Sequence, residues 1–281
     1  MALPGFVRQE LEGYLDCGLL CRGFALLKCS ECTERRLVAF CCKGRGFCPC
    51  CLGRRMCQSA ANLIDHVVPQ DVALRQWVLT LPHALRYRLA YDGKLLGAVC
   101  RIFVDSVLGW YRRRLTQQAG AQAKGGAVVA IQRVSSDLRL HPHFHAVVLD
   151  GVYVEHRGGG LEFMALPHLS TTEVADVLQL VRARIVGYLQ RRNVIEQNDE
   201  LSVLDDELRE REPALADLAR AAVSGLEPAG PELRRRLGPI SLRGRPGVEI
   251  LRPLCAQELG FNLHAATGAG ALDADGREAL L

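Results

Sequence analysis

No run of 18 uncharged apolar residues occurs in the 281-residue sequence, which excludes a conventional membrane-spanning helix. The first residues, Met1-Ala2-Leu3-Pro4-Gly5-Phe6, lack the basic flank and apolar stretch of a secretory signal, so a cytoplasmic chain with no membrane partner is expected. No internal repeat is found. Net charge is small: 35 Lys and Arg against 31 Asp and Glu leave a formal +4, too little by itself to establish a nucleic-acid partner. Cysteine is nearly absent from most of the chain, with only Cys100 and Cys255 outside residues 17–57. Yet 49% of residues are hydrophobic and 23% charged, a balance that excludes disorder and fibrous repeats and suits one large domain or two smaller ones.

The other ten of the 12 cysteines fall between Cys17 and Cys57. Thiols clustered this way in a reducing compartment point to metal rather than to disulfides. Cys29-x2-Cys32 and Cys48-x2-Cys51 lie 15 residues apart, the spacing of a four-thiolate zinc ribbon, so Cys29, Cys32, Cys48 and Cys51 are the predicted ligands of a closed, structural zinc. Cys42, Cys50 and Cys17 remain alternatives, as replacement ligands or as partners of Cys21 in a second site. Eight Lys and Arg lie between Arg22 and Arg55, against Glu31 and Glu34 alone. Among them Lys43, Arg45, Arg54 and Arg55, beside Phe47, are the predicted contacts to nucleic-acid phosphates.

Apolar periodicity predicts a helix over 54–66 ended by Pro69, a strand over 76–81, and a long helix whose stripe runs from Leu95 to Leu108 and ends in Arg112-Arg113-Arg114. Strands are predicted over 127–134, 144–150 and 152–154, together an antiparallel meander. A helix opens at Ser170, where Ser170-x-x-Glu173 fits a capping box. An acidic linker over 196–213, a helix over 214–223, a loop over 225–247 and a strand over 260–265 complete the reading. Within His141-Pro142-His143-Phe144-His145, the alternation of a strand puts His143 and His145 on one face and Phe144 on the other. Two imidazoles aimed at one spot suit a divalent ion in metal-assisted phosphoryl transfer.

The segments 40–51, 54–56, 76–82, 132–133, 143–145, 149–152 and 260–265, taken in order, resemble the rolling-circle transposases of insertion sequence family 91. The resemblance implies an α+β chain: a zinc-binding domain with its exit helix over 1–68, then a His-hydrophobe-His (HUH) nuclease domain over 69–281 with a central antiparallel sheet and flanking helices. It implies that His143 and His145 are catalytic and carry Mg or Mn, which polarises the scissile phosphate of single-stranded DNA at the ends of a mobile element. A tyrosine then attacks, leaving a 5′ phosphotyrosine and a free 3′ hydroxyl. Gln132, His141 and His264 are candidates for a third ligand. Departures from the family pattern accompany the match. Its members continue into a helix bearing the nucleophilic tyrosine, whereas here no tyrosine follows Tyr188. The expectation is therefore a chain truncated before its nucleophile. His141 stands where Asn is commoner, and Cys50 replaces a usual Ser. Tyr188 is the geometric substitute, although its place on the apolar stripe assigns it to the core. The sequence thus leaves open a strand-transferring transposase, a non-catalytic zinc-dependent DNA-binding derivative, and a metal hydrolase that uses water.

Overall fold

The computed structural model describes residues 5–44, 48–116, 123–137, 139–155, 159–195, 207–225 and 247–281. Arg45, most of the expected acidic linker and most of the expected 225–247 loop lie outside them. The chain divides into two compact units, Met1–Pro69 and Gln70–Leu280. The class is α+β. Among the described residues no helix is long and apolar enough to cross a membrane.

The first unit comprises helix α1 (Gly5–Asp16), a single 3-10 turn (Leu20–Arg22), an antiparallel hairpin of β1 (Phe24–Lys28) and β2 (Arg35–Ala39), and helix α2 (Pro49–His66). Neither α1, β1 nor β2 fully buries a residue, and α2 buries only Cys51. Little apolar surface is sequestered, so a shared ligand has to supply the cohesion that a core would. Helix α2 starts at Pro49, five residues ahead of the predicted start, because proline's fixed φ and missing N–H suit the first helical position.

The second unit is built on β3 (Leu74–Thr80), α3 (His83–Tyr91), α4 (Gly93–Thr116), β4 (Ala123–Lys124), β5 (Ala127–Val134), β6 (Leu140–Leu149), β7 (Gly151–Glu155), β8 (Leu161–Ala165), α5 (Thr171–Arg191), α6 (Glu207–Arg211), α7 (Pro213–Ser224), β9 (Glu249–Arg252), β10 (Cys255–Glu258), β11 (Phe261–His264), β12 (Gly268–Ala269) and α8 (Ala274–Leu280). The main sheet is antiparallel in the order β5-β6-β3-β11-β10-β9, with β12 also pairing β3. Directly opposed residues share a face. Phe144, Leu79, Leu263 and Ala256 therefore form one apolar row, and each is 0% exposed. Val99, Phe103 and Val107 of α4 and Val174, Val177, Val181 and Ile185 of α5 share the same core, and Phe103 stacks on Phe144 at 6.1 Å between ring centroids. One face of the sheet is thus closed by helices, and the other carries its polar residues.

Helix α5 forms where the Ser170 capping box predicts, with both reciprocal hydrogen bonds present. The expected meander is corrected at its third strand. β5 and β6 pair, but β7 leaves them to join β4 and β8 in a separate three-stranded sheet. The divergence is anchored at Asp150, buried between β6 and β7. Arg75 donates to both its carboxylate oxygens, and the Tyr111 hydroxyl donates to one of them at 2.7 Å. The next residue must be glycine, since a Cβ on Gly151 would run into the Met164 carbonyl and the Phe163 ring. At the other end of β6, α3 and α7 form a smaller cluster of Tyr87, Ala216 and Val223 against Leu140.

Candidate metal centres

Four thiols of the first unit converge. Cys17 follows the last turn of α1, Cys42 follows β2, and Cys48 and Cys51 occupy the first turn of α2. Their sulfurs all lie within 4.8 Å of one another, the one such group of three or more potential ligands among the described residues. The separations Cys17–Cys51 (3.6 Å), Cys42–Cys51 (3.5 Å) and Cys17–Cys48 (3.5 Å) are those of a tetrahedron around one ion. With Zn–S near 2.3 Å the edge should be about 3.8 Å. Backbone N–H groups of Cys42 and Gly44 donate to the sulfurs of Cys17 and Cys42. The Cys51 backbone N–H holds the Cys48 thiol down at about 7. Cys42 behaves oppositely. The Gly44 N–H favours its thiolate, but burial and the hydrogen-bonded thiols of Cys51, Cys48 and Cys17 push it up to about 12. The charges repel, and a dication is what the donor set lacks.

Cys48 and Cys51 therefore do not meet Cys29 and Cys32. The β1–β2 register, Phe24 opposite Ala39 through Lys28 opposite Arg35, carries residues 29–34 to the far tip of the hairpin. Five residues of strand span roughly 15 Å. At the base, the Gly18 N–H donates to the Phe40 carbonyl, bringing Cys17 and Cys42 to the tetrad. Cys29 and Cys32 are exposed and contact each other, and the backbone N–H of Glu31 leads in lowering the Cys29 thiol. Of the basic residues, Lys43 adjoins Cys42, and Arg54 and Arg55 follow Cys51 within one helical turn; all three are exposed. Arg45 lies outside the described residues.

The second centre lies on the open face of the main sheet. His141, His143 and His145 alternate along β6, with ring centroids 5.0 Å and 4.9 Å apart. His143 Nδ1 donates to the His141 carbonyl oxygen at 2.6 Å, which fixes the ring and leaves its Nε2 lone pair available. Nε2 of His141 and of His145 is buried with no hydrogen-bond partner. Burial lowers both rings, helped at His141 by the charges of Arg86 and His143 and at His145 by His143; His141 falls to about 4. Lowering favours the neutral imidazole, and a neutral ring with an unpartnered Nε2 is suited to bind a metal. Beside them, register puts Gln132 on one side of His143 and Thr80 on the other, with Asn262 beyond Thr80. His264 stands opposite Val78, which in turn opposes His145, so two strand spacings separate it from the histidine row, roughly 10 Å. Gln132 and His141 are the nearer of the three candidate third ligands.

Thr80 and Asn262 escaped the sequence reading although both lie in predicted strands, because strand pairing alone reveals which residues are neighbours. Arg86 and His83 were missed with α3 itself. That helix buries Ala84, Leu85, Tyr87, Arg88 and Leu89 and so shows no single apolar stripe. The main sheet contains no tyrosine in its strands. Tyr111 is committed to Asp150, Tyr153 pairs with Phe163 on the smaller sheet, and Tyr188 packs on the main core.

Comparison with known families gives two matches. The transposase zinc-binding domain of insertion sequence family 91 matches residues 2–81. The family described as "Putative transposase" matches residues 126–267, which is 142 of 281 residues and includes the histidine strand. No curated protein and no solved structure matches.

Proposed function

This chain belongs to the insertion sequence 91 family of transposases, and from that premise we propose that it binds single-stranded DNA at the ends of a mobile element and supports metal-assisted strand cleavage and transfer there. The observation that carries the reading is the pair of buried, partnerless Nε2 atoms beside the oriented ring of His143 on the open sheet face. In this reading His143 and His145 hold Mg or Mn, with Gln132 or His141 as third ligand. When bound, the ion polarises the scissile phosphate. Strands β5, β6, β3 and β11 contain no acidic residue, and Mg is held mainly by oxygen, so this imidazole-rich set favours Mn of the two. The His143 ring is kept in place by its hydrogen bond to the His141 carbonyl, and α4 and α5 hold the strand rigid from behind.

Cys17, Cys42, Cys48 and Cys51 hold zinc, which in a closed four-thiolate site shapes the domain and does no chemistry. It fixes Lys43, Arg54 and Arg55 on the unit that grips the DNA backbone. In the cleavage step a tyrosine hydroxyl would attack phosphorus, the bond to the 3′ oxygen would break, and the proton would pass to that leaving oxygen. A second reading, a DNA-binding derivative that does not cut, is favoured by one observation: the tyrosines of the second unit are engaged elsewhere, Tyr111 with Asp150, Tyr153 with Phe163, Tyr188 in the main core and Tyr87 with Tyr91. Labelled single-stranded DNA with Mn, run on a denaturing gel beside the His143→Ala, His145→Ala variant, separates the two. A covalent adduct that the variant abolishes supports strand transfer. Binding without adduct supports the second reading.

A further inference from the structure

We propose that Arg86 forms a phosphate subsite at the end of the histidine row, taking the non-bridging oxygens of a DNA phosphodiester adjacent to the one at His143 and His145. The subsite deepens the single-stranded DNA reading and rests on it. Arg86 lies in the first turn of α3, immediately after β3. Its Nε donates to the Leu81 carbonyl at 3.1 Å, which fixes the plane of the guanidinium and leaves its two terminal nitrogens without a protein partner among the described residues. It is half-buried, and among the described residues no carboxylate faces it: burial alone acts on it, whereas Arg75, Arg88 and Arg182 of the same unit each meet one. Arg75 sits on Asp150 at 2.7 Å, Arg182 on Glu258 at 2.6 Å and Arg88 on Asp92 at 3.3 Å.

A partly desolvated guanidinium without a counter-charge is unfavourable unless an anion arrives, and its fork of donors matches phosphate oxygens. Position points to the same ligand. The charge of Arg86 is felt at both His83 and His141, so it stands at the start of the row that ends in His145. Among the described residues the acid acting on His141 is Asp137, which is itself held by Arg139. An anion at this corner meets the guanidinium of Arg86, and strands β3, β5, β6 and β11 bring no competing carboxylate.

The test uses the full chain, a short labelled single-stranded oligonucleotide and Mn, with affinity read by fluorescence anisotropy across a salt series. Arg86→Gln should weaken binding about tenfold and flatten the salt dependence by about 0.7 in log K against log salt, the share of one phosphate on a single strand. Arg86→Lys, which keeps the charge, should retain the slope. Replacing single linkages by neutral methylphosphonate should find one position that costs the parent chain about tenfold and Arg86→Gln nothing more. Mn binding to Arg86→Gln, followed by paramagnetic resonance, should persist, in contrast to His143→Ala, His145→Ala. If Arg86→Gln binds DNA with unchanged affinity and slope, or Arg86→Lys loses the slope, the subsite is wrong while the DNA reading stands. If the parent chain binds no single-stranded DNA at any salt, both fall.

Discussion

In the proposed zinc site each sulfur of the Cys17, Cys42, Cys48, Cys51 tetrad would be one of four ligands to a single ion, so the loss of any one would open the site. Cys17→Ser or Cys42→Ser should strip zinc from the purified chain, whereas Cys29→Ser should leave one equivalent bound; metal analysis by mass spectrometry reads both. Retention of zinc in Cys42→Ser together with its loss in Cys29→Ser would return the site to the hairpin tip. The histidines make a different prediction. His141 is driven to about 4 and His145 is also lowered, so the folded chain keeps them neutral where the unfolded chain is protonated. Between the unfolded value near 6.5 and about 4 the unfolded state binds more protons, so stability falls as pH drops through that window and the penalty is absent above it. With a chelator present, the thermal midpoint should be lower at acid than at neutral pH, and His141→Gln should reduce that difference. The tautomer of His143 follows from the same local logic, since its Nδ1 proton is committed to the His141 carbonyl.

Helices were legible where a cap and a stripe coincide. Ser170 accepts from the Glu173 N–H, Glu173 accepts in return from the Ser170 N–H, and Arg114 of α4 reaches the same carboxylate at 2.7 Å. Ser170→Ala should cost about 1 kcal/mol in a denaturant titration without changing its slope. A cost near zero would mean that the contact with α4, not the cap, sets the start of α5. Strands 76–81, 127–134, 144–150, 152–154 and 260–265 were legible, whereas β4, β8, β9, β10 and β12 were not; 127–134 and 144–150 pair as the meander implied, and 152–154 turns away at Gly151. Gly151→Ala should disrupt the β7–β8 pairing, and faster amide exchange confined to β7 and β8 would show it. Helix α3 stayed hidden because it is buried on several sides at once, so no 3.6-residue stripe marks it.

The sheet as a unit makes the histidine face electrostatically one-sided. On the histidine face, strands β5, β6, β3 and β11 offer imidazole, amide and hydroxyl groups and no carboxylate, so a dication bound there, as proposed, would keep its charge until a phosphate supplied the counter-charge. Mn and single-stranded DNA should therefore bind with positive and reciprocal coupling: the oligonucleotide should tighten Mn by the same factor by which Mn tightens the oligonucleotide. Titration calorimetry of each with and without the other measures both, and equal affinities in the two states would remove the argument. Much of this was written locally. Cysteine spacing announced a metal-bound module, alternation placed His143 and His145 on one face opposite Phe144, and the Ser170 box opened α5, because each depends only on neighbours along the chain. What needed the folded chain was every fact set by partners distant in sequence. The hairpin carries Cys29 and Cys32 away from Cys48 and Cys51 while its base delivers Cys17 and Cys42. Strand register decides that Gln132 and Thr80, rather than His264, flank His143. Among the described residues no carboxylate reaches the half-buried Arg86. Local pattern determines which way a side chain points, and only tertiary pairing determines what it meets there.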